Sequence, residues 1–446
     1  MTKENLIALY NIIKKNTEEM SAKTIADIKK MTDDDIELIK ASPYPMEIFG
    51  LLSNESFSSN FSKEKKNQII EIINNTKEEN SYYTCLTATA NRSNIINLIN
   101  LVSNAKGRHQ ASDAYQIISG EHVSRNISDE HLEEIIKIVT THKDKDFTYL
   151  IKAYLEGLTE IDNNLNTNEI DSSTTINIVK KIARAKSVRQ ASLGVDIALE
   201  DRIRKNIIDN GKDINEIAKY VALVTTEKNP GKVEPIIRIL FDDDAIESGI
   251  SYELAKIVKQ SKELSQANYA ADIAIDIGVL SELTKEDIIK LIDMVSQTET
   301  EYQALYSAYI ACNYDAVKSG HVLELVDIVS KTKGEYQAKY ASQLATNVTL
   351  LQTSKILRLV KLASIIGCEQ KICLSTNQIE YLIKDSKETT NSNENYSELY
   401  KLFDVREDFW KLFEENPEEA IKLLKETITN PKEDINSNTK VRIKKR

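Results

Sequence analysis

A short stretch of sequence recurs along the chain, and this recurrence restricts the possible folds more than any other feature. Residues 332–347 read TKGEYQAKYASQLATN, and residues 298–313 read TETEYQALYSAYIACN. Five clear copies share a Gln-Ala pair, and their glutamines are Gln110, Gln190, Gln266, Gln303 and Gln337. The last three of these glutamines lie 37 and 34 residues apart. Self-similarity at this period predicts an array of stacked structural repeats.

Each copy is predicted to be a pair of helices. The Gln-Ala stretch is the second helix, which we name helix B. Upstream of it, as in residues 322–329, apolar residues recur three and four positions apart, which places them on one face of a first helix, helix A. Weaker copies of helix B fit the same alignment. The residue at the glutamine position is Ser81, Asp146 or Pro230 in three of them and Gln370, without a following alanine, in the fourth.

The ends of these helices have sequence signals of their own. Three junctions between helix A and helix B match the Thr-x-x-Glu capping box, beginning at Thr76, Thr298 and Thr332. They predict a very short turn and therefore antiparallel helices. A glycine often follows helix B, where a left-handed residue commonly closes a helix. These glycines are Gly120, Gly211, Gly249 and Gly320.

A helical wheel of about 100° per residue predicts which face of helix B is buried. Small residues follow the glutamine by one, four and eight positions, as Ala338, Ala341 and Ala345 do. Larger apolar residues lie on the other side of the glutamine, which therefore belongs to the buried face. The small residues favour tight helix packing over a groove kept open for a ligand. Because a buried amide needs partners, we expect the glutamine side chain to form hydrogen bonds with the helix ends of the adjoining repeat. The alternative is that the glutamines form a row that binds a ligand.

The opposite side of helix B varies between copies, and it is the predicted partner-binding face. Its residues precede the glutamine by one position or follow it by two. For any one of them an ordinary solvated helix surface is the alternative, although exposed tyrosine is enriched among interface anchors. The candidate partner-binding residues are His109, Arg189, Asn268, Tyr302, Leu305, Tyr336 and Lys339.

Net charge argues against a general nucleic-acid binder. The formal charge is −11, and the last seven residues, KVRIKKR, include five cations, so the rest of the chain has 53 basic against 69 acidic residues. A body this acidic repels phosphate backbones. The feature that would support nucleic-acid binding instead is a local basic strip of Arg108, Arg184 and Arg189, together with the tail.

The sequence has no recognisable catalytic or nucleotide-binding motif. The dinucleotide-binding glycine pattern, the P-loop, His-Glu-x-x-His and the nucleophile elbow are all absent. We therefore predict no catalytic residue, cofactor or metal site, and an enzyme with a site assembled between helices is a second alternative. Four histidines near Glu134 leave a metal site open: His109, His122, His131 and His142.

Four cysteines in a chain of 446 residues do not make a disulfide framework, which favours a reducing cytoplasm. No apolar run reaches the roughly 20 residues that span a bilayer, and the N-terminus lacks the pattern of a signal peptide. The predicted division is an N-terminal helical cap with a degenerate repeat (1–60), a repeat array (61–385), an aromatic-rich helical cap (386–435) and a basic tail expected to be disordered (436–446). For the aromatic-rich region a docking surface is the alternative to a cap.

This organisation resembles the α-solenoids of two-helix repeats, namely the HEAT, armadillo and tetratricopeptide arrays, over roughly residues 60–385. The resemblance is architectural, since the tetratricopeptide sequence pattern is absent. We expect an all-α fold, a right-handed superhelix of about eight to ten antiparallel helix pairs of roughly 33–44 residues. The resemblance implies an extended surface that binds a protein or peptide, so we expect a non-catalytic scaffold or adaptor.

Overall fold

The structure, a computed structural model, describes residues 2–16, 21–164, 170–353, 355–366 and 407–422. Every regular element in these ranges is a helix, which confirms the all-α prediction. The chain forms two compact units, Met1–Lys259 and Gln260–Arg446. The predicted basic tail, the Gln370 copy and the pair Cys368 and Cys373 lie outside the described residues.

In the first unit, five helices precede the first clear pair: α1 (Lys3–Asn16), α2 (Ala22–Lys30), α3 (Asp33–Ala41), α4 (Pro45–Leu52) and α5 (Glu55–Asn60). Its A helices are α6 (Lys63–Asn74), α8 (Ile95–Ser103), α11 (Asp129–Thr141), α13 (Ser172–Ala183), α16 (Ile217–Thr225) and α19 (Ser251–Gln260). Its B helices are α7 (Glu78–Thr87), α9 (Arg108–Ser119), α12 (Lys145–Asn164), α14 (Val188–Leu199) and α17 (Val233–Leu240). Short 3-10 turns, Ile214–Glu216 and Pro230–Lys232, lead into α16 and α17.

In the second unit, the B helices are α20 (Leu264–Ala274), α23 (Glu301–Ala311) and α26 (Glu335–Ala345). The A helices are α22 (Lys285–Ser296), α25 (Val322–Ser330) and α28 (Ile356–Ile366). Helix α29 (Glu407–Glu415) and the helical residues 417–422 follow. In the second unit, neighbouring A helices pack on one another, and so do neighbouring B helices. In the first unit most neighbours pack in the same way, and the exceptions are α16 with α19 and α14 with α17, so the arrangement is helical-repeat-like.

A short third helix follows most B helices, and the sequence reading did not anticipate it. Polar residues after helix B suggested only a connecting stretch, but several of them are N-caps. The Asn313 side chain, for example, accepts a hydrogen bond from the Ala316 amide. The short helices are α10 (Glu121–Asn126), α15 (Asp201–Asp209) and α18 (Asp243–Glu247) in the first unit, and α21 (Ile277–Glu282), α24 (Tyr314–Lys318) and α27 (Val348–Leu351) in the second.

The glutamines of helix B connect each copy to the next, which confirms their predicted structural role. Gln303 shows the full pattern: its Oε1 accepts from the Glu299 and Thr300 amides at 2.8 and 3.0 Å, and its Nε2 donates to the Thr332 carbonyl at 2.7 Å. Thr332 directly follows the next A helix. The other four glutamines donate to the end of the following A helix in the same way, with acceptors at His142, Val224 and Glu227, Thr298, and Ile365.

The small residues of helix B are buried, as predicted, and they permit close helix packing. Ala267, Ala304 and Ala338 are fully buried. The approach is very close at Gly194, where a Cβ atom would lie only 2.6 Å from Thr225 Cγ2 of the adjoining A helix. No side chain larger than hydrogen fits there without movement, so α14 lies directly against α16.

The capping-box prediction was wrong at all three junctions. The hydroxyls of Thr76, Thr298 and Thr332 donate backwards to carbonyls of the preceding A helix. A threonine hydroxyl can bond to either helix, and here each one closes helix A. Helix B begins two residues later than Thr298, where Thr300 caps α23 and Gln303 completes a true capping box.

Three of the four predicted closing glycines have the expected left-handed backbone. Gly211, Gly249 and Gly320 have φ values of 69°, 77° and 75°. The prediction was wrong for Gly120, whose φ is −66°. Gly120 separates α9 from α10 with extended backbone, because the short helix begins immediately and leaves no room for a left-handed closing turn.

Candidate partner-binding surface

The outer face of the B helices in the second unit carries large side chains in contact with solvent. On α23, Leu305 is 38% exposed and Tyr309 is 57% exposed. Tyr302 is half-buried, and its hydroxyl donates to the Lys333 carbonyl at 3.1 Å. Tyr309 follows the glutamine by six positions, which the wheel places near Tyr302 and Leu305. The sequence analysis missed it because only two outer positions were considered.

The neighbouring helices extend this face. On α26, Tyr336 is 74% exposed and Lys339 is also exposed. On α20, Asn268 is half-buried. Because α23 packs between α20 and α26, their outer positions belong to one face of the unit. We name as the tyrosine surface the set Tyr302, Leu305, Tyr309, Tyr336 and Lys339.

In the first unit, the predicted residues are exposed but less free to engage a partner. His109 and Arg189 are both exposed, and Arg189 Nη2 lies 2.7 Å from Glu234 Oε2 in an ion pair. Hydrogen bonds from Ser112 and from Arg108 lower the pKa of Tyr83. Two arginines of the alternative basic strip therefore already interact within the protein.

A second group of exposed aromatic residues lies on the first and third B helices, and the sequence analysis missed it. Tyr82 of α7 and Tyr149 of α12 are 55% and 58% exposed. The Tyr82 and Tyr83 ring centroids lie 5.3 Å apart, and Lys152 Nζ lies 5.0 Å from the centre of the Tyr149 ring.

The reason for the omission is an error of one residue in the register of the weak copies. Asn80, not Ser81, occupies the glutamine position, since its Nδ2 donates to the Ala105 carbonyl at 2.9 Å just beyond α8. By the same count from the helix start, Phe147 replaces Asp146. The side-chain amide of Asn80, next to Ser81, was the feature of the sequence that could have indicated the correct register. Correct alignment moves Tyr82 and Tyr149 to the outer row.

Two aromatic residues near the C-terminus contribute to a core. Trp410 and Phe413 are buried with Leu362 and Ala420. This burial favours a capping role for the two over an exposed docking surface. The Asn416 side chain accepts from the Glu419 amide and so caps the helical residues 417–422.

Three of the four neighbouring histidines are held in separate interactions. His131 Nδ1 lies 2.7 Å from Ser172 Oγ, His142 Nε2 lies 3.2 Å from the Ala183 carbonyl, and His122 Nδ1 lies 3.1 Å from Asn126 Nδ2. In the described part of the chain, no three side chains of the metal-binding types gather around one point.

The two cysteines within the described residues are poor nucleophiles. Burial, and secondarily the charge of a nearby carboxylate, raises the pKa of Cys85 and of Cys312 to about 12. At pH 8 we expect the thiolate fraction, and with it iodoacetamide labelling, to be reduced about a thousandfold relative to an ordinary thiol. The measurement is labelling at pH 8 in a variant with Cys368→Ser and Cys373→Ser, with the urea-unfolded variant as control. Labelling equally fast in the native and unfolded states would contradict this expectation.

Comparison with known proteins finds no family model that matches the chain, and no match among curated proteins or solved structures. None of the described helices is long and apolar enough to cross a membrane.

Proposed function

We propose that this protein is a non-catalytic scaffold or adaptor that binds a protein partner through the outer face of its B helices. The observation that carries the proposal is the tyrosine surface, where Leu305, Tyr309 and Tyr336 expose large apolar side chains on two adjacent helices. Grouped exposed apolar residues are typical of interaction sites. Tyrosine loses little conformational entropy on binding and buries a large area, so it is frequent among interface anchors.

The proposal includes the finer architecture expected from the sequence. We take the copies as consecutive repeats of a right-handed α-solenoid, about eight to ten in number. Within each unit, the packing of A helices on A helices and of B helices on B helices supports this. We also place the protein in the cytoplasm, because the sequence has few cysteines.

The test is affinity capture from a native, nuclease-treated lysate of the source cell. We expect the full chain to recover a stable protein partner, and the double variant Tyr309→Ala with Tyr336→Ala to recover at least tenfold less of it. Tyr10→Ala is the matched control, because Tyr10 is an exposed tyrosine on α1, away from the B helices. Full recovery by the double variant would refute the tyrosine surface, and a chain that repeatedly purifies alone would refute the scaffold function.

A further inference from the structure

An apolar groove opens between two neighbouring B helices of the first unit, α14 and α17. Its walls are Leu193 and Leu199 from α14 and Ile237 and Phe241 from α17 and its end. The groove has a volume of about 550 Å³. That volume falls within the roughly 300–1,000 Å³ that is typical of ligand-binding pockets.

The groove exists because α14 packs on one of its neighbours and not on the other. Leu199 of α14 lies against Gly157 of α12, where a Cβ atom would lie only 2.5 Å from Leu199 Cδ1. The backbones of α14 and α17 approach each other at far fewer places than those of α12 and α14. The space between α14 and α17 is therefore open.

Two carboxylates lie at the groove, one helical turn apart on α14. Glu200 is already engaged, since its Oε1 accepts from Arg202 Nε at 2.8 Å. Asp196 differs, because its carboxylate forms no hydrogen bond or ion pair with any residue that the structure describes. Burial, and then the Glu200 charge, raises the pKa of Asp196. The groove thus holds a carboxylate that is open to solvent and lacks a cation among the described residues.

We infer that this groove binds a lysine or arginine side chain of a protein partner, with an apolar residue of the same segment against its walls. The occupant follows from charge complementarity. The Asp196 carboxylate attracts a cation and repels phosphate or another carboxylate. The apolar walls accept the methylene stem that lysine and arginine carry below their charge. The inference rests on the proposed function, since α14 and α17 are B helices of the first unit.

The first experiment uses octylguanidinium as a probe, because it combines a guanidinium with an apolar chain. Binding is followed by methyl NMR of the full chain at Leu193, Leu199 and Ile237, which line the groove. We expect saturable shifts of these methyl groups, and none with octanoate. Asp196→Asn should weaken octylguanidinium binding at least fivefold. Asp209→Asn, an exposed carboxylate on α15, should leave it unchanged.

Two results of this experiment would overturn the inference. Absence of saturable shifts would show that the groove does not bind the probe. Equal binding of octylguanidinium to the Asp196→Asn variant, or equal binding of octanol, would show that the carboxylate plays no part.

A second experiment separates this inference from the proposed function. In the lysate capture, Asp196→Asn should lower recovery of the partner at least threefold, and Asp209→Asn should not. Probe binding without any captured partner would refute the scaffold function and leave a cation-binding groove. A captured partner that is lost with the tyrosine variant and retained with Asp196→Asn would refute the groove as part of the interface.

Discussion

Gly194→Ala is expected to destabilise the first unit by about 1–3 kcal/mol, although alanine is ordinarily the better helix former. The added Cβ atom would lie 2.6 Å from Thr225 Cγ2 and 3.5 Å from Val221 Cγ1. Thr225 is buried, and as a β-branched residue in a helix it has little rotamer freedom. Helices α14 and α16 must therefore separate. The measurement is urea unfolding followed by circular dichroism.

Two further variants show whether the steric contact is the cause. Gly50→Ala is the matched control, since a Cβ atom at this helical glycine meets nothing within 4 Å, and it should stabilise by about 0.5–1 kcal/mol. Thr225→Ser removes Cγ2, so in combination with Gly194→Ala it should recover at least half of the lost stability. A Gly194→Ala protein as stable as the Gly50→Ala protein would show that the close helix contact is absent.

Gln303→Ala is expected to cost about 2–4 kcal/mol, because it removes three hydrogen bonds at the junction of two copies. The alanine leaves the Thr332 carbonyl without its 2.7 Å donor and removes the acceptor of two amides at the start of α23. Gln343→Ala, an exposed glutamine on α26, should change stability by less than about 0.5 kcal/mol. Equal unfolding midpoints for the two variants would refute the structural role of the buried amide.

Gln303→Glu identifies which hydrogen bonds matter. The carboxylate keeps an acceptor for the two amides, but it faces the Thr332 carbonyl without a proton to donate. Burial and the facing Thr332 carbonyl raise the pKa of such a carboxyl, whereas the two amide hydrogen bonds lower it. If donation to Thr332 is the main contribution, the pKa lies above its unfolded value and the folded state binds the proton more tightly. The stability of the variant should therefore increase as pH falls from 7 towards 5, relative to the native protein. A difference that does not change over this range would contradict donation to Thr332 as the main contribution.

The inner face of helix B could be predicted because it depends on local periodicity. A helix of 3.6 residues per turn brings Ala338, Ala341 and Ala345 to the same face as the glutamine, whatever surrounds the chain. A buried side-chain amide needs hydrogen-bond partners, and the last carbonyls of the following A helix lack donors within that helix. Gln303 is buried and donates to the Thr332 carbonyl at 2.7 Å, which confirms both steps.

The parts of the candidate site that were missed depended on register or on choices between equivalent bonds. Ser81 and Asn80 are both plausible in a weak copy, and only the bond to Ala105 identifies Asn80. Tyr82 and Tyr149 follow from that choice. Thr298 can cap the next helix or close the previous one, and the path of the chain determines which.

The sequence by itself determined an all-helical chain of recurring pairs, the buried face of helix B and the role of its glutamine. These follow from the spacing of the apolar residues and the position of the polar ones, which recur in each copy. The tertiary structure alone decided the short third helices and the groove beside Asp196. That groove depends on the distance between α14 and α17, which results from packing of each helix on its other neighbours. No residue pattern within either helix specifies such a distance, because packing sums contacts that are distant in sequence.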